Sequence, residues 1–352
     1  MRALMHPLVG SAAVAALSLL TPGLAAATDF PDLYVANAGN STIEVYMPPS
    51  GAGTLFYNEG DTPLPYGLAF DAAGNVYVAN GIADTILKIT PSGVATTFVP
   101  NTAGLSEPAG LAFDSAGNLY VANYANYTID KVTPGGAVST FATLPPYSGP
   151  FGLAFDGSGN LYVTLSVSNA IDKITPGGMI STFATGGLLD MPYGIAFNPA
   201  GMLFVADYEN SAIVDYTSAG TGATLSISGL SDGDVLNAPA GLAFDGSGHL
   251  YVSNSNSNTI DEITNIAANG KSGTGQLFAN TGLNAPYGLA YRPVPEPSSI
   301  GLFATALLAL GALGRRRFAR AVPGWSTRRR AAPSRPWKTR QTALMVPGIG
   351  VA

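Results

Sequence analysis

Apolar and polar residues alternate in short bursts along most of this chain. Between residues 108 and 141 four apolar runs stand out, at 110–113, 119–122, 128–132 and 137–141. Each is four or five residues long, mostly rich in β-branched and aromatic side chains, and bounded by turn formers. That is the pattern of short strands. The turns are chemically explicit. Asp114-Ser115-Ala116-Gly117-Asn118 offers an Asx-type start and a glycine free to take positive φ. Thr133-Pro134-Gly135-Gly136 sets φ with proline and then supplies glycine, as a tight turn requires. The stretch predicts a four-stranded antiparallel meander.

The meander repeats. Its P-x-G-[L/I]-A start occurs at Pro65, Pro108, Pro150, Pro192, Pro239 and Pro286, with spacings of 43, 42, 42, 47 and 47 residues. Its second strand begins at Leu33, Val76, Leu119, Leu161, Leu203 and Leu250. Four-stranded units at this period predict propeller blades. The two series are offset, so the repeats open on a second strand and close on a first strand at Pro286. The predicted fold is all-β: a six-bladed β-propeller over residues 28–292, closed by pairing the terminal strands in one split blade, which removes two sheet edges. The blades from Pro192 and Pro239 lose the T-P-x-G turn and carry glycine- and serine-rich insertions around 218–224 and 266–274. Those insertions are expected to be mobile surface loops.

Charge is distributed unevenly. Residues 28–292 carry 21 acidic and 5 basic side chains, whereas 10 basic and no acidic ones follow from Arg315 onward. The acidic body has no basic stripe to meet phosphates, which argues against nucleic acid as a partner. With no cysteine in the chain, the fold must rely on packing and ring closure.

The ends read as targeting segments. Residues 1–27 have a charged start at Arg2, an apolar stretch, and the small residues Ala25, Ala26 and Ala27, the composition of a cleavable secretory signal. Residues 293–299 form a proline-rich linker with the motif V-P-E-P. An apolar run over 300–314, Arg315, Arg316 and Arg317, and a basic tail complete the chain at 352. The run is predicted as a membrane helix, with the arginines cytoplasmic by the positive-inside rule and the tail to 352 predicted as disordered.

Two resemblances follow from these motifs. The repeat G-[L/I]-A-F-D-x-x-G-N-[L/V]-Y-V-A-[N/D] resembles NHL β-propeller repeats over about 260 residues. The C-terminal arrangement resembles a PEP-CTERM sorting signal. That resemblance implies recognition of Pro295, Glu296 and Pro297 by an exosortase in a Gram-negative bacterium. It also implies transient use of the inner membrane and a final place in the envelope, at the cell surface or outside. Such signals normally end soon after the arginines, whereas 32 residues follow Arg320 here.

Chemistry is sparse. Of two histidines, His6 lies in the signal and His249 takes the turn position held by Asn75, Asn118 and Asn160 in sister blades. Recurrence of Asp71, Asp114, Asp156 and Asp245 marks turn residues, and Asp130, Asp172, Asp215 and Asp261 recur in third strands, where Lys131 and Lys173 are expected to pair with their neighbouring aspartates. No catalytic residue and no metal ligand is assigned.

An antiparallel meander brings strand-one starts and strand-two ends to one face. The x of P-x-G supplies Tyr66, Phe151, Tyr193 and Tyr287 there, with Ala109 and Ala240 in the other two blades. Strand-two ends supply Asn37, Asn80, Asn123, Asp207 and Asn254, with Tyr124 and Tyr208 following two of them. Aromatic planes and amides around an opening suit a sugar or peptide; the plainer reading is that the amides cap strand ends. A monomeric binding or scaffold module for an exopolysaccharide or envelope protein is expected. The alternative is a metal-dependent lactonase- or lyase-like enzyme. Calcium in the central channel, held by Asp207 or nearby Glu209 with several amides, is the one cofactor contemplated. The related streptogramin lyases use histidine-dependent chemistry with no evident counterpart in these residues.

Overall fold

A computed structural model of the chain describes residues 32–60, 64–230 and 235–292. The predicted signal at 1–27, the sorting motif Pro295, Glu296, Pro297, Arg315, Arg316 and Arg317, the apolar run 300–314 and the tail to 352 all lie outside the described residues. Among the described residues no helix is long and apolar enough to cross a membrane.

The described chain forms six antiparallel sheets arranged as propeller blades. Each blade starts on an inner strand: Pro65–Phe70, Pro108–Phe113, Pro150–Phe155, Pro192–Phe197, Pro239–Phe244 and Pro286–Tyr291. Pro286–Tyr291 pairs with Leu33–Asn37, so the split blade joins the two ends of the repeat region. That blade is counted first here, and the others second to sixth in chain order.

The blades are glued by a recurring aromatic triad. In blades one to four the tyrosine of the second strand meets, edge-on, a phenylalanine of its own outer strand and one on the next blade's inner strand. Tyr120, for example, lies 4.9 Å from Phe141 and 5.1 Å from Phe155. Tyr34, Tyr77 and Tyr162 repeat the arrangement with centroid separations of 4.9 to 5.2 Å. Each such pair contributes about 0.5–1.5 kcal/mol beyond its burial. The Tyr–Val alternation of the second strand therefore serves two neighbouring interfaces at once, with Tyr120 in one core cluster and Val121 in the next.

Two expectations are corrected. The insertions are not simply loops. Gly222–Thr224 is the outer strand of blade five and Ser272–Ala279 that of blade six. Ser226–Ser228 then crosses over and adds to blade six as a fifth, parallel strand. The glycines there answer to close packing rather than to looseness. A Cβ at Gly222 would lie 2.6 Å from the Tyr216 ring, and one at Gly275 would lie 2.4 Å from Leu230. Lys131 and Lys173 also do not pair with Asp130 and Asp172, because adjacent strand residues point to opposite faces. They reach Asp114 and Asp156 at 3.6 and 3.7 Å, as Lys88 reaches Asp71 at 3.4 Å.

Candidate ligand-binding face

The glycine of each P-x-G sets the geometry of the axis. A Cβ on Gly67 would stand 2.2 Å from the Ala109 carbonyl oxygen, and one on Gly110 would stand 2.0 Å from that of Phe151. The relation continues through Gly152, Gly194 and Gly241, and Gly288 closes it against Tyr66 at 2.0 Å. Only a hydrogen fits at these six points. The inner strands therefore contact one another directly, and the residue x of each blade stands beside the axis.

Four of those residues are aromatic, and their rings meet. Phe151 stacks on Tyr193 at 4.3 Å, and Tyr66 meets Phe151 at 5.8 Å and Tyr287 at 5.3 Å. Phe151 and Tyr287 belong to opposed blades yet lie 6.4 Å apart, so the cluster closes over the axis. Tyr124 and Tyr208 join from strand-two loops, at 6.5 Å from Phe151 and 4.7 Å from Tyr193. Size is matched within blades. Tyr66 lies over Gly81, where a Cβ would be 2.5 Å from its ring, while small Ala109 shares its blade with Tyr124. All four axial rings are half-buried and keep an outward surface. Burial above all, then neighbouring phenols and carboxylates, raises Tyr66, Tyr193 and Tyr287, which remain neutral phenols.

Beneath the rings lies an axial cavity of about 80 Å³, lined by the six glycines, the alanines and the ring of Leu68, Leu111, Leu153, Ile195, Leu242 and Leu289. No carboxylate or amide side chain lines it. Calcium in the channel does not fit these residues. Asp207 is fully buried away from the axis, with Oδ1 accepting from the Asp190 N–H at 2.9 Å and Oδ2 from Asn210 at 2.8 Å. Among the described residues no group of three or more His, Asp or Glu side chains has metal-binding geometry.

The amides behave differently from the rings. Asn37, Asn123 and Asn254 are buried, and their Oδ1 atoms accept from the N–H groups of Asn284, Ser106 and Asn237 at 3.1 to 3.2 Å. Their Nδ2 atoms donate to Thr42, Thr128 and Thr259. Asn80 is also buried and donates to Thr85 at 3.5 Å. The structure thus brings Tyr66, Phe151, Tyr193, Tyr287, Tyr124 and Tyr208 together, and turns Asn37, Asn80, Asn123, Asp207 and Asn254 inward as strand-end caps.

Two contributors escape motif reading. The alanine of V-A-N is Thr164 in blade four and Ser253 in blade six. Thr164 Oγ1 accepts from the Gly152 N–H at 2.8 Å and donates to the Tyr193 carbonyl at 2.6 Å. Ser253 does the same for Gly241 and Tyr287, both at 2.8 Å. The backbones of two axial tyrosines are thereby pinned to the preceding blade. The signal was present in the sequence as a departure from alanine within an otherwise uniform motif.

His249 lies on the opposite, turn-bearing face. Its N–H donates to Asp245 Oδ1 at 2.8 Å, as expected of a turn residue, and its Nδ1 lies 3.0 Å from Asp245 and 3.4 Å from Glu262.

These features define a six-bladed propeller with an aromatic-capped axis. A family model described as the Virginiamycin B lyase family matches residues 56–272, more than half of the chain, and the protein belongs to that family. A second model, the PEP-CTERM protein-sorting motif, matches residues 293–317. The family match leaves the NHL resemblance as a statement about the repeat motif alone. A search of curated proteins finds no match. Among solved structures, a streptogramin B lyase is 18% identical with a TM-score of 0.56, covering 74% of this chain and 91% of its own. A nidogen/laminin complex contains a chain 19% identical with a TM-score of 0.63, covering 74% and 98%. A catalytically inactive histidine-to-alanine variant of virginiamycin B lyase from Staphylococcus aureus, with quinupristin, is 18% identical with a TM-score of 0.52, covering 77% and 87%. At these identities the likeness is one of fold. The sorting motif marks the chain for export to the cell envelope or surface and implies recognition by an exosortase.

Proposed function

We propose that this protein is an exported binding module that presents its aromatic-capped face to an envelope or matrix partner. The observation that carries the reading is the convergence of six half-buried aromatic side chains from blades one to five around one axis. Flat π-surfaces with clustered hydroxyls take up a partner by stacking and hydrogen bonding at low entropic cost. Family membership favours a second reading, a lyase. Against it, the relative inactivated by loss of one histidine indicates a histidine-dependent reaction. In this chain His249 is the sole histidine of the described residues, and it is engaged as a turn residue on the far face.

The test measures retention of the full chain on purified envelope and matrix fractions from an exosortase-bearing bacterium. The triple variant Tyr66→Ala, Tyr193→Ala, Tyr287→Ala is compared with the unaltered protein at matched thermal stability. Retention should fall at least about tenfold, a loss of roughly 1.4 kcal/mol. Equal retention of the two proteins sinks the reading. Cleavage of a streptogramin B ring that disappears in His249→Ala would establish the lyase instead.

A further inference from the structure

The geometry points to a cationic partner for the aromatic face: an arginine- or lysine-bearing peptide segment of another protein. The inference rests on the binding-module reading and deepens it. It starts from where charge lies in the propeller. All five basic residues among the described ones stand at the turn-face ends of their blades. Lys88, Lys131 and Lys173 are held there by Asp71, Asp114 and Asp156, Arg292 by Asp32, and Lys271 sits in the turn before the outer strand of blade six. Among the described residues the charged side chains of the loop face are all acidic.

Those acids flank the rings in two groups. Asp84 Oδ1 accepts from the Glu107 N–H at 2.7 Å, and Glu107 acts electrostatically on Tyr66. Across the cluster the Glu209 N–H donates to the Asp190 carbonyl at 3.2 Å, and Glu209 acts on Tyr193. Glu107, Asp190 and Glu209 are exposed, and no lysine or arginine among the described residues stands near to neutralise them. A neutral sugar could stack on the rings and donate hydroxyls to the carboxylates, but it would leave the unneutralised charge uncompensated. A guanidinium or ammonium gains twice, because it lies flat on a tyrosine face and pairs with a carboxylate at its edge. One acid group stands between blades two and three and the other at blade five. An extended chain with two separated cationic side chains spans them better than a single small amine.

The experiment titrates the full chain with a hexa-arginine peptide, a hexaserine peptide and a neutral glucan hexasaccharide by calorimetry. Hexa-arginine alone should bind. Its affinity should fall at least about tenfold in Glu107→Gln/Glu209→Gln, in Tyr66→Leu/Tyr193→Leu, and at about 0.5 M salt, where charges are screened within roughly 4 Å. Absence of hexa-arginine binding overturns the inference, as does equal affinity in the Glu double variant or preferential binding of the glucan. The envelope-fraction assay separates the two levels. If retention is lost in the tyrosine triple variant but indifferent to Glu107→Gln/Glu209→Gln and to salt, the binding face stands and the cationic partner falls. If neither set of variants changes retention, both fall.

Discussion

Asn80 shows how one residue type can break a repeated bond. In blades one, three and six the strand-end amide accepts from the N–H two residues before the P-x-G proline, and Asp207 does so in blade five. In blade two that position is Pro63, which has no N–H. Asn80 Oδ1 is left without a donor among the described residues, and the buried Glu59 carboxyl has no partner there beyond the neighbouring Asn80 amide. Burial pushes Glu59 up from 4.5 to about 7, the Asn80 amide offsetting only part of it. A protonated Glu59 can supply the hydrogen that Asn80 needs. The folded state therefore binds this proton more tightly than the unfolded chain. The stabilisation is complete below about pH 4.5 and is lost as pH rises through about 7. Glu59→Gln should leave stability near pH 4.5 little changed. Near pH 8 it should raise stability by on the order of 2–3 kcal/mol. Urea midpoints at the two pH values check this, and a variant that is equally stable at both relative to the unaltered protein would refute it.

Within single blades the sequence was informative about order and uninformative about distance. Period-2 runs and turn residues located the strands of blades one to four and the inner strands of blades five and six, and the divergent x positions pointed to the rings that now meet over the axis. The glycine of P-x-G read only as the first residue of an apolar run. No periodicity along one strand reveals that another strand lies a van der Waals contact away across the axis. Glycine-rich insertions read as loose for the same reason, although tyrosine and leucine side chains occupy the space their missing Cβ atoms leave. Lys131 and Lys173 illustrate the converse: their neighbours in sequence are not their partners in space. Two predictions belong to this scale. Gly110→Ala places a Cβ 2.0 Å from the Phe151 carbonyl oxygen. It should cost about 3 kcal/mol or more, since the ring cannot widen at one blade without disturbing five others. Thr164→Val removes the hydroxyl bridging Gly152 and Tyr193. It leaves a buried donor unpaired and should cost about 1–3 kcal/mol. Denaturant unfolding monitored by circular dichroism measures both; a Gly110→Ala protein of undiminished stability would contradict the close-contact account.

At the scale of the whole molecule, stability depends on closing the ring. The body has no disulfide, and each blade buries its two faces only against its neighbours. Residues 286–292 supply the inner strand of blade one. Leu289 and Ala290 are buried in different inter-blade clusters, Gly288 meets the backbone of Tyr66 in blade two, and Arg292 joins Asp32 through backbone and side chain. Without this strand, Leu33–Asn37 becomes an open edge whose residues, all buried in the closed ring, meet water. Blades one, two and six would lose a shared interface together, and the axial rings would lose Tyr287. A chain ending at Asn284 should therefore show no cooperative thermal transition and should aggregate on expression. A chain ending at Val294 should unfold with the transition of the full chain. The pair separates ring closure from any effect of removing the C-terminal segment, because both truncations lack residues 295–352. A cooperative transition within a few degrees of the full chain's in the shorter protein would show that five blades and a fragment suffice. In that case the terminal strand would be decoration on the fold rather than its clasp.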